Sequence, residues 1–201
     1  MDGIEVSGAI AGLRWYVLFL AFSLVAGAEA AAEARALSGA ALLSALRSGG
    51  YVLYFRHMAT DFGQKARYDD CANEVNLTDA GRDDARAIGA AIRSLGIPVG
   101  DVLASPLCRT RETADLIFGR FTVAPAVRGG DPGGYAELKV LLARRVASGT
   151  NLVIVSHRDQ FAALVGGPAL DEGEAAVIEP RGEAGFRLVA RIKKDDWNTL
   201  K

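Results

Sequence analysis

The chain has 201 residues, of which 50% are hydrophobic, and its formal net charge at pH 7 is -1. This length and composition suit one domain with a substantial hydrophobic core, and we expect no second domain. Because there is no excess of basic residues, nucleic acid is not expected as a partner, and any anion-binding site must be local.

The first thirty residues differ in composition from the rest of the chain. Arg14 is followed by an apolar run over residues 15–25 and then by Ala28-Glu29-Ala30, a small-x-small pattern typical of a signal-peptidase site. This pattern predicts a signal peptide over residues 1–30 and a mature domain over residues 31–201. The mature protein would be periplasmic or secreted, with no stable membrane association after cleavage. The alternative is an uncleaved anchor, although the run is shorter than the roughly 20 apolar residues that span a bilayer.

Predicted helices and strands alternate along the mature chain. In order, the pattern predicts a helix over 31–48, a strand over 51–58, a polar loop over 60–76, a helix from Thr78 to Gly96, a strand over 101–104, a helix with Pro106 in its first turn, a short strand over 121–124, a glycine-rich loop over 129–134, a helix over 135–148, a strand over 151–156, a helix ending at Gly166 and a hairpin over 175–192. This alternation predicts an α/β fold, a three-layer sandwich with a mostly parallel central sheet flanked by helices.

The chain contains two cysteines, Cys71 and Cys108. In an oxidising compartment an even number of cysteines can form a disulfide, and two unpaired thiols are the alternative. The sequence leaves this choice open. Because it contains neither a C-x-x-C motif nor a Cys/His cluster, we predict no metal site.

The two histidines of the chain each follow a strongly apolar predicted strand. In a parallel α/β sheet, the carboxyl ends of such strands meet at one edge, so His57 and His157 are expected to lie together. Arg56 precedes the first histidine, and Arg109 lies in the first turn of a predicted helix, whose amino terminus favours anions. Guanidinium groups pair bidentately with phosphoryl oxygens, and a histidine can attack phosphorus. These residues therefore predict a phosphoryl-binding pocket.

Four segments, in this order, resemble the motifs of the histidine phosphatase superfamily, in its phosphoglycerate-mutase-like branch. They are Phe55-Arg56-His57-Met58, Leu77-Thr78-Asp79-Ala80-Gly81-Arg82, Ala104-Ser105-Pro106-Leu107-Cys108-Arg109-Thr110-Arg111-Glu112-Thr113-Ala114 and Val155-Ser156-His157. The resemblance, which is to small exported members, implies that His57 is the nucleophile that accepts the phosphoryl group. It also implies that Arg56, Arg109 and His157 hold the phosphoryl oxygens, with His157 protonated, and that no metal or organic cofactor is needed.

The same resemblance places the general acid after the Arg109 helix, where Asp131 and Glu137 are the candidates. We predict Asp131, because a glycine-rich loop could bring it to the rim, whereas Glu137 lies on a predicted helix. Asp61 is a further candidate. The alternative is that these carboxylates are solvated surface groups.

The chain departs from the superfamily pattern at two positions. Met58 replaces the usual glycine after the nucleophilic histidine and is expected to narrow the floor of the pocket or change the substrate. In the segment Asn73-Glu74-Val75-Asn76, many relatives carry an arginine, so one phosphate ligand is expected to be missing here.

Together these observations predict an exported phosphomonoesterase that hydrolyses a small phosphorylated substrate through a phosphohistidine on His57. Two alternatives stay open. One is an anion-binding module that has lost turnover, and the other is a phosphomutase that moves phosphate between hydroxyl groups.

Overall fold

The computed structural model describes residues 36–63, 70–128 and 135–201. Contacts divide the chain into Met1–Ala36 and Leu37–Lys201, and every element below belongs to the second unit. The predicted signal peptide and the glycine-rich loop over residues 129–134 lie outside the described residues. So does the part of the first predicted helix that precedes residue 36.

A six-stranded sheet forms the centre of the domain. Its strands are β1 (Val52–Arg56), β2 (Val99–Ala104), β3 (Thr122–Val123), β4 (Asn151–Ser156), β5 (Ala175–Pro180) and β6 (Phe186–Ile192). They are arranged in the order β3-β2-β4-β1-β5-β6. The first four in this order pair in parallel, while β5 is antiparallel to both β1 and β6. The sheet is therefore mostly parallel, and the predicted hairpin at the end of the chain is confirmed as β5 and β6.

Five α-helices among the described residues cover the two faces of the sheet. They are α1 (Gly39–Ser48), α2 (Asp79–Ser94), α3 (Cys108–Phe118), α4 (Ala136–Ala143) and α5 (Arg158–Val165). Buried side chains of α1, α2 and α3 pack in one core cluster, and those of α4 and α5 pack in another. The three-layer α/β sandwich is confirmed. No helix within the described ranges is both long enough and apolar enough to cross a bilayer.

Strand β1 shows why the central strands are uninterrupted apolar runs. Leu53 and Phe55 belong to the cluster beneath α1–α3, whereas Val52 and Tyr54 belong to the cluster beneath α4 and α5. Successive side chains of a strand point to opposite faces, so a strand covered by helices on both faces needs apolar residues throughout. This double burial fixes the register that carries the strand ends to one edge.

Several boundaries differ from the sequence prediction. The first helix begins at Gly39, three residues after the described chain starts, and β1 ends at Arg56, two residues before the predicted end. Helix α3 begins at Cys108 with Leu107 as its N-cap, so Pro106 precedes the helix instead of lying in its first turn. Helix α4 ends at Ala143, five residues before the predicted end at Ser148. The predicted N-cap Thr78 is confirmed, since its hydroxyl accepts a hydrogen bond from the Gly81 amide at 3.0 Å.

Candidate active site

Three adjacent parallel strands end together at one edge of the sheet. Arg56, at the end of β1, pairs in register with Ser156 at the end of β4. The His57 amide then donates to the Ser156 carbonyl at 3.1 Å, and the Ser105 amide, just after β2, donates to the Val155 carbonyl at 3.1 Å. The backbone therefore brings the residues that follow β1, β2 and β4 to one level.

The two histidines meet at this edge, as the sequence predicts. Their ring centroids lie 5.6 Å apart with the planes at 64°, and both residues are buried. The His157 backbone is held in place by Tyr54, whose hydroxyl donates to the His157 carbonyl at 2.8 Å. A buried tyrosine needs such a partner, so the packing of β1 fixes the position of the second histidine.

The hydrogen bond of His57 defines its tautomer. Nδ1 lies 2.8 Å from the carbonyl oxygen of Met58, and because a carbonyl only accepts, Nδ1 must carry the proton. In the neutral ring the lone pair is then on Nε2. Burial, and then the charges of Arg109 and Arg56, lower the pKa of His57 to about 4. At neutral pH the ring is uncharged, and Nε2 is able to act as a nucleophile.

A chain of hydroxyl groups defines the tautomer of His157. Thr110 Oγ1 donates to backbone carbonyls, those of Ser105 at 2.9 Å and Leu107 at 2.6 Å. It must therefore accept the proton of Ser105 Oγ, which lies 2.9 Å away. Ser105 Oγ has no second proton, so His157 Nε2, at 2.8 Å, has to be the donor. The lone pair of neutral His157 is thus on Nδ1.

His157 is electrostatically different from the protonated ligand that the sequence analysis predicts. Burial, followed by the charges of Arg109, His57, Arg128 and Arg56, lowers its pKa to about 3. The ring is neutral at pH 7, and Nδ1 is buried without a hydrogen-bond partner among the described residues. Because Nε2–H is committed to Ser105, a phosphoryl oxygen can be bound by Nδ1 only after Nδ1 gains a proton.

The two predicted phosphate-binding arginines both line the pocket. Arg56 Nη1 donates to the Leu170 carbonyl at 2.9 Å, and Nη2 lies 3.5 Å from Glu172 Oε1. Burial is the main cause that lowers the Arg56 pKa from its ordinary value. Arg109 is the second residue of α3, and its charge acts on both histidine rings. The predicted grouping of two arginines with two histidines is therefore present.

The amino terminus of α3 already binds an anionic side chain. Glu74 Oε2 accepts a hydrogen bond from the Cys108 amide at 2.7 Å, and Glu74 is buried. A carboxylate of the preceding loop thus satisfies the first amide of this helix, whose amino terminus favours anions. The helix dipole stabilises Glu74 at this position.

A disulfide joins the same loop to the same helix. Cys71 and Cys108 are bonded, with their Cα atoms 5.5 Å apart and 37 positions apart in sequence. The choice that the sequence leaves open is thereby resolved in favour of a disulfide. The bond and the Glu74 contact together hold the segment that carries Val75 against the start of the helix that carries Arg109.

Removing this disulfide is expected to destabilise the fold. In the chain-entropy model, a cross-link across 37 positions contributes about 4 kcal/mol to the free energy of unfolding. The double variant Cys71→Ser/Cys108→Ser should therefore unfold at lower urea concentration than the wild type. Reductant should lower the wild-type midpoint in the same direction and leave the variant unchanged. Equal midpoints for oxidised wild type and variant would contradict the prediction.

The strand ends open into a cavity of about 460 Å³. Besides the predicted histidines and arginines, its lining includes Phe62, Val75, Leu107, Arg128, Arg158, Asp159 and Gln160. Apart from Val75, none of these was predicted as a site residue. Arg158, Asp159 and Gln160 lie in the first turn of α5, directly after His157. A helix that directly follows a strand ending at the site begins at the edge of that site, and this rule could have identified them.

Two of the three candidate general acids lie outside the cavity lining, and the third is not described. Asp131 is outside the described residues, so its position stays a prediction. Glu137 is on the exposed surface of α4, and Asp61 Oδ1 accepts from the Gly63 amide at 2.9 Å. Neither Glu137 nor Asp61 lines the cavity, whereas Asp159, among the described residues, does.

The two departures from the superfamily pattern have different surroundings. The expectation that Met58 narrows the pocket floor is wrong, because its side chain is 1% exposed and belongs to the core cluster beneath α1–α3. There its sulfur approaches Gly173, where even a Cβ would lie 2.9 Å from it. Val75, in contrast, lines the cavity.

Comparison with known proteins agrees with this geometry. A family model described as the histidine phosphatase superfamily (branch 1) matches residues 52–129, which include the first three of the four motifs. Over residues 52–129 the chain therefore resembles the histidine phosphatase superfamily. Within the described residues, no group of three or more His, Cys, Asp or Glu side chains is arranged to hold a metal ion.

Individual members of the superfamily are similar over different spans. A 74-residue segment is 34% identical to the mitochondrial serine/threonine-protein phosphatase Pgam5 of Drosophila virilis, and it covers 37% of this chain but only 24% of that protein. The structure of the protein histidine phosphatase SixA with tungstate is similar with a TM-score of 0.55 at 20% identity, covering 73% of this chain and 98% of that one. Mycobacterial hydrolase 1 gives a TM-score of 0.52 at 15% identity, covering 70% and 96%. These two structures share the fold.

Proposed function

We propose that this chain is a member of the histidine phosphatase superfamily, an exported phosphomonoesterase that acts through a phosphohistidine on His57. The observation that carries the proposal is the state of His57. Its Nδ1 proton is held by the Met58 carbonyl, its Nε2 lone pair is free of a proton at neutral pH, and Arg56, Arg109 and His157 line the same cavity. A neutral imidazole among fixed cations suits attack on a phosphate ester.

The proposed reaction has two steps. In the first, the Nε2 lone pair forms a bond to phosphorus while the bond from phosphorus to the ester oxygen breaks. The leaving oxygen takes a proton from a carboxylic acid, a role proposed for Asp131, with Asp159 as a second candidate. In the second step, water attacks phosphorus while the carboxylate takes a proton from it, the P–N bond breaks, and phosphate leaves with the Nε2 lone pair and the carboxylic acid restored. The arginines stabilise the equatorial oxygens in both steps.

Export is supported by two separate features of the chain. The apolar run over residues 15–25 precedes a small-x-small pattern, which suits a cleaved signal. The disulfide between Cys71 and Cys108 suits an oxidising compartment. A periplasmic or secreted enzyme that does not stay on the membrane is consistent with both features.

A binding module without turnover is the second candidate, and Val75 favours it. Many relatives carry an arginine in this loop, and here an apolar side chain lines the cavity instead. Such a module would bind phosphate and release no product. No contact in the described residues favours the third reading, a phosphomutase.

Trapping the intermediate tests the proposal. The purified protein is mixed with an aryl phosphate, denatured in alkali within one turnover, and analysed by mass spectrometry. Phosphate is expected on His57 in an acid-labile, alkali-stable form, with stoichiometric release of the aryl alcohol. Tight phosphate binding without product or label would support the binding module, and transfer of label to an added alcohol instead of water would support the mutase.

A further inference from the structure

The turn that precedes β5 lies against the end of β1, where the two site residues Arg56 and His57 are. The Arg56 amide donates to the Glu174 carbonyl at 3.1 Å, and the Gly173 amide donates to the His57 carbonyl at 3.1 Å. Backbone hydrogen bonds therefore join the turn directly to the residues that carry the chemistry. They fix the position of Glu172, the residue before Gly173, beside the proposed nucleophile.

Glu172 is the carboxylate that neighbours the Arg56 guanidinium. Its Oε1 lies 3.5 Å from Arg56 Nη2, and the two side chains are 23% and 11% exposed. A guanidinium this far from water needs an opposite charge nearby. Burial lowers the Arg56 pKa, and among the neighbouring charges that of Glu172 raises this pKa most. Among the described residues, Glu172 is therefore the main counter-charge of Arg56.

The carboxylate and the guanidinium are both held in place. Thr60, which is buried, donates from Oγ1 to the same Glu172 Oε1 at 2.9 Å, and its backbone bridges to Leu77 just before α2. At the other terminal nitrogen of Arg56, Nη1 donates to the Leu170 carbonyl at 2.9 Å. Protein oxygens thus hold both terminal nitrogens. Arg56 Nε has no hydrogen-bond partner among the described residues, and it remains for a phosphoryl oxygen.

Glu172 has two effects on a phosphate bound beside Arg56. Arg56 lines the cavity, whereas Glu172 is not among the described residues of the lining, so both effects act through Arg56. A fixed guanidinium favours the transition state, because phosphoryl transfer depends on positioned cations. A carboxylate beside that guanidinium also offsets part of its attraction for a dianion, which weakens the binding of substrate and of product.

We propose that Glu172 is a positioning residue that holds Arg56 for phosphoryl transfer and, by its charge, favours the release of inorganic phosphate. The effect on transfer rests on the proposed phosphatase activity, whereas the effect on phosphate binding does not need turnover. Thr60 belongs to the same arrangement, because its hydroxyl keeps the carboxylate at Arg56.

Glu172→Gln tests the charge, since the amide oxygen can still accept from Thr60 and Arg56. Isothermal titration should show inorganic phosphate bound about three- to fivefold more tightly than by the wild type. Initial rates on an aryl phosphate should show kcat lowered about threefold or more. Glu172→Asp, which keeps the charge, should bind phosphate within about twofold of the wild type.

Two further variants separate charge from position. Thr60→Val keeps the shape and the net charge but removes the hydroxyl, so it should lower kcat and leave phosphate binding within about twofold of the wild type. Glu179→Gln is the matched control. It removes a β5 carboxylate that is 33% exposed and paired with Arg181 and Arg187, and it should change neither quantity.

The opposite directions of the two effects distinguish this role from a loss of structure, which would weaken phosphate binding and kcat together. Tighter phosphate binding with a lower kcat in Glu172→Gln supports the proposal. Unchanged or weaker phosphate binding, or a kcat equal to that of the wild type, overturns it. A wild-type protein that hydrolyses no ester would overturn the proposed function instead. The phosphate titration of Glu172→Gln would then still decide whether Glu172 offsets the charge of Arg56.

Discussion

Replacing His57 by alanine is expected to lower kcat/KM for an aryl phosphate by about 10⁴-fold or more, since the loss of a covalent nucleophile typically has effects of this size or larger. The reason is specific to Nε2. It is the atom that the Met58 hydrogen bond leaves with a lone pair. No other described residue in the cavity lining presents an unprotonated nitrogen at the same place. Initial rates of wild type and variant, measured on a panel of phosphate esters, check the prediction.

Binding measurements serve as the control for this variant. Arg56, Arg109 and His157 still line the cavity when His57 is alanine, so inorganic phosphate should bind within about tenfold of the wild-type affinity. A variant that retains more than a hundredth of the wild-type activity would contradict a phosphohistidine mechanism. A variant that loses phosphate binding and thermal stability together would instead show that the ring is needed to build the pocket.

The inner part of this site follows from local sequence patterns. His57 and His157 are predictable as neighbours because apolar strands buried on both faces must run through the middle of a sheet, and parallel neighbours end at the same edge. Arg109 is predictable because its helix begins shortly after β2, and the carboxyl end of β2 lies at the same edge of the sheet. These inferences need only the period of the pattern and the rule for parallel sheets.

The outer part depends on contacts between segments distant in sequence. Arg128 reaches the cavity because a turn after β3 is tied to α5 by Gln160, and no local pattern indicates that contact. The Glu74 carboxylate binds the amino terminus of α3 because the disulfide holds the loop that carries Glu74 against the start of that helix. Met58 turns into the core because the strand ends at Arg56, after which the alternation of side chains between the two faces no longer applies.

The pH dependence of kcat/KM is expected to be bell-shaped, with a maximum near pH 5. On the acid side, activity should fall as the pH drops through the pKa of His57, about 4. Burial and the neighbouring arginines lower this pKa, so the neutral form with its Nε2 lone pair persists above about pH 4 and is lost below it. An ordinary histidine would place the same limb at about pH 6.5.

The alkaline limb is expected because neutral His157 cannot donate a hydrogen bond from Nδ1 to a phosphate dianion. With a pKa of about 3, its Nδ1 carries a lone pair in the empty pocket, and a phosphate dianion would meet that lone pair instead of a donor. The substrate monoanion brings the missing proton, which can be shared between its oxygen and Nδ1. Since the second pKa of an alkyl phosphate is about 6, kcat/KM should fall about tenfold per pH unit above that value.

Two comparisons identify the source of this limb. A limb that belongs to the substrate moves to lower pH when the ester is changed to one with a lower second pKa, whereas a limb set by a group of the enzyme stays where it is. His157→Asn, which offers an uncharged donor in place of Nδ1, should lower kcat/KM and flatten the alkaline limb because no proton has to be supplied. A limb at the same pH for every ester and in the variant would mean that a group of the enzyme, and not the substrate proton at His157, controls the rate.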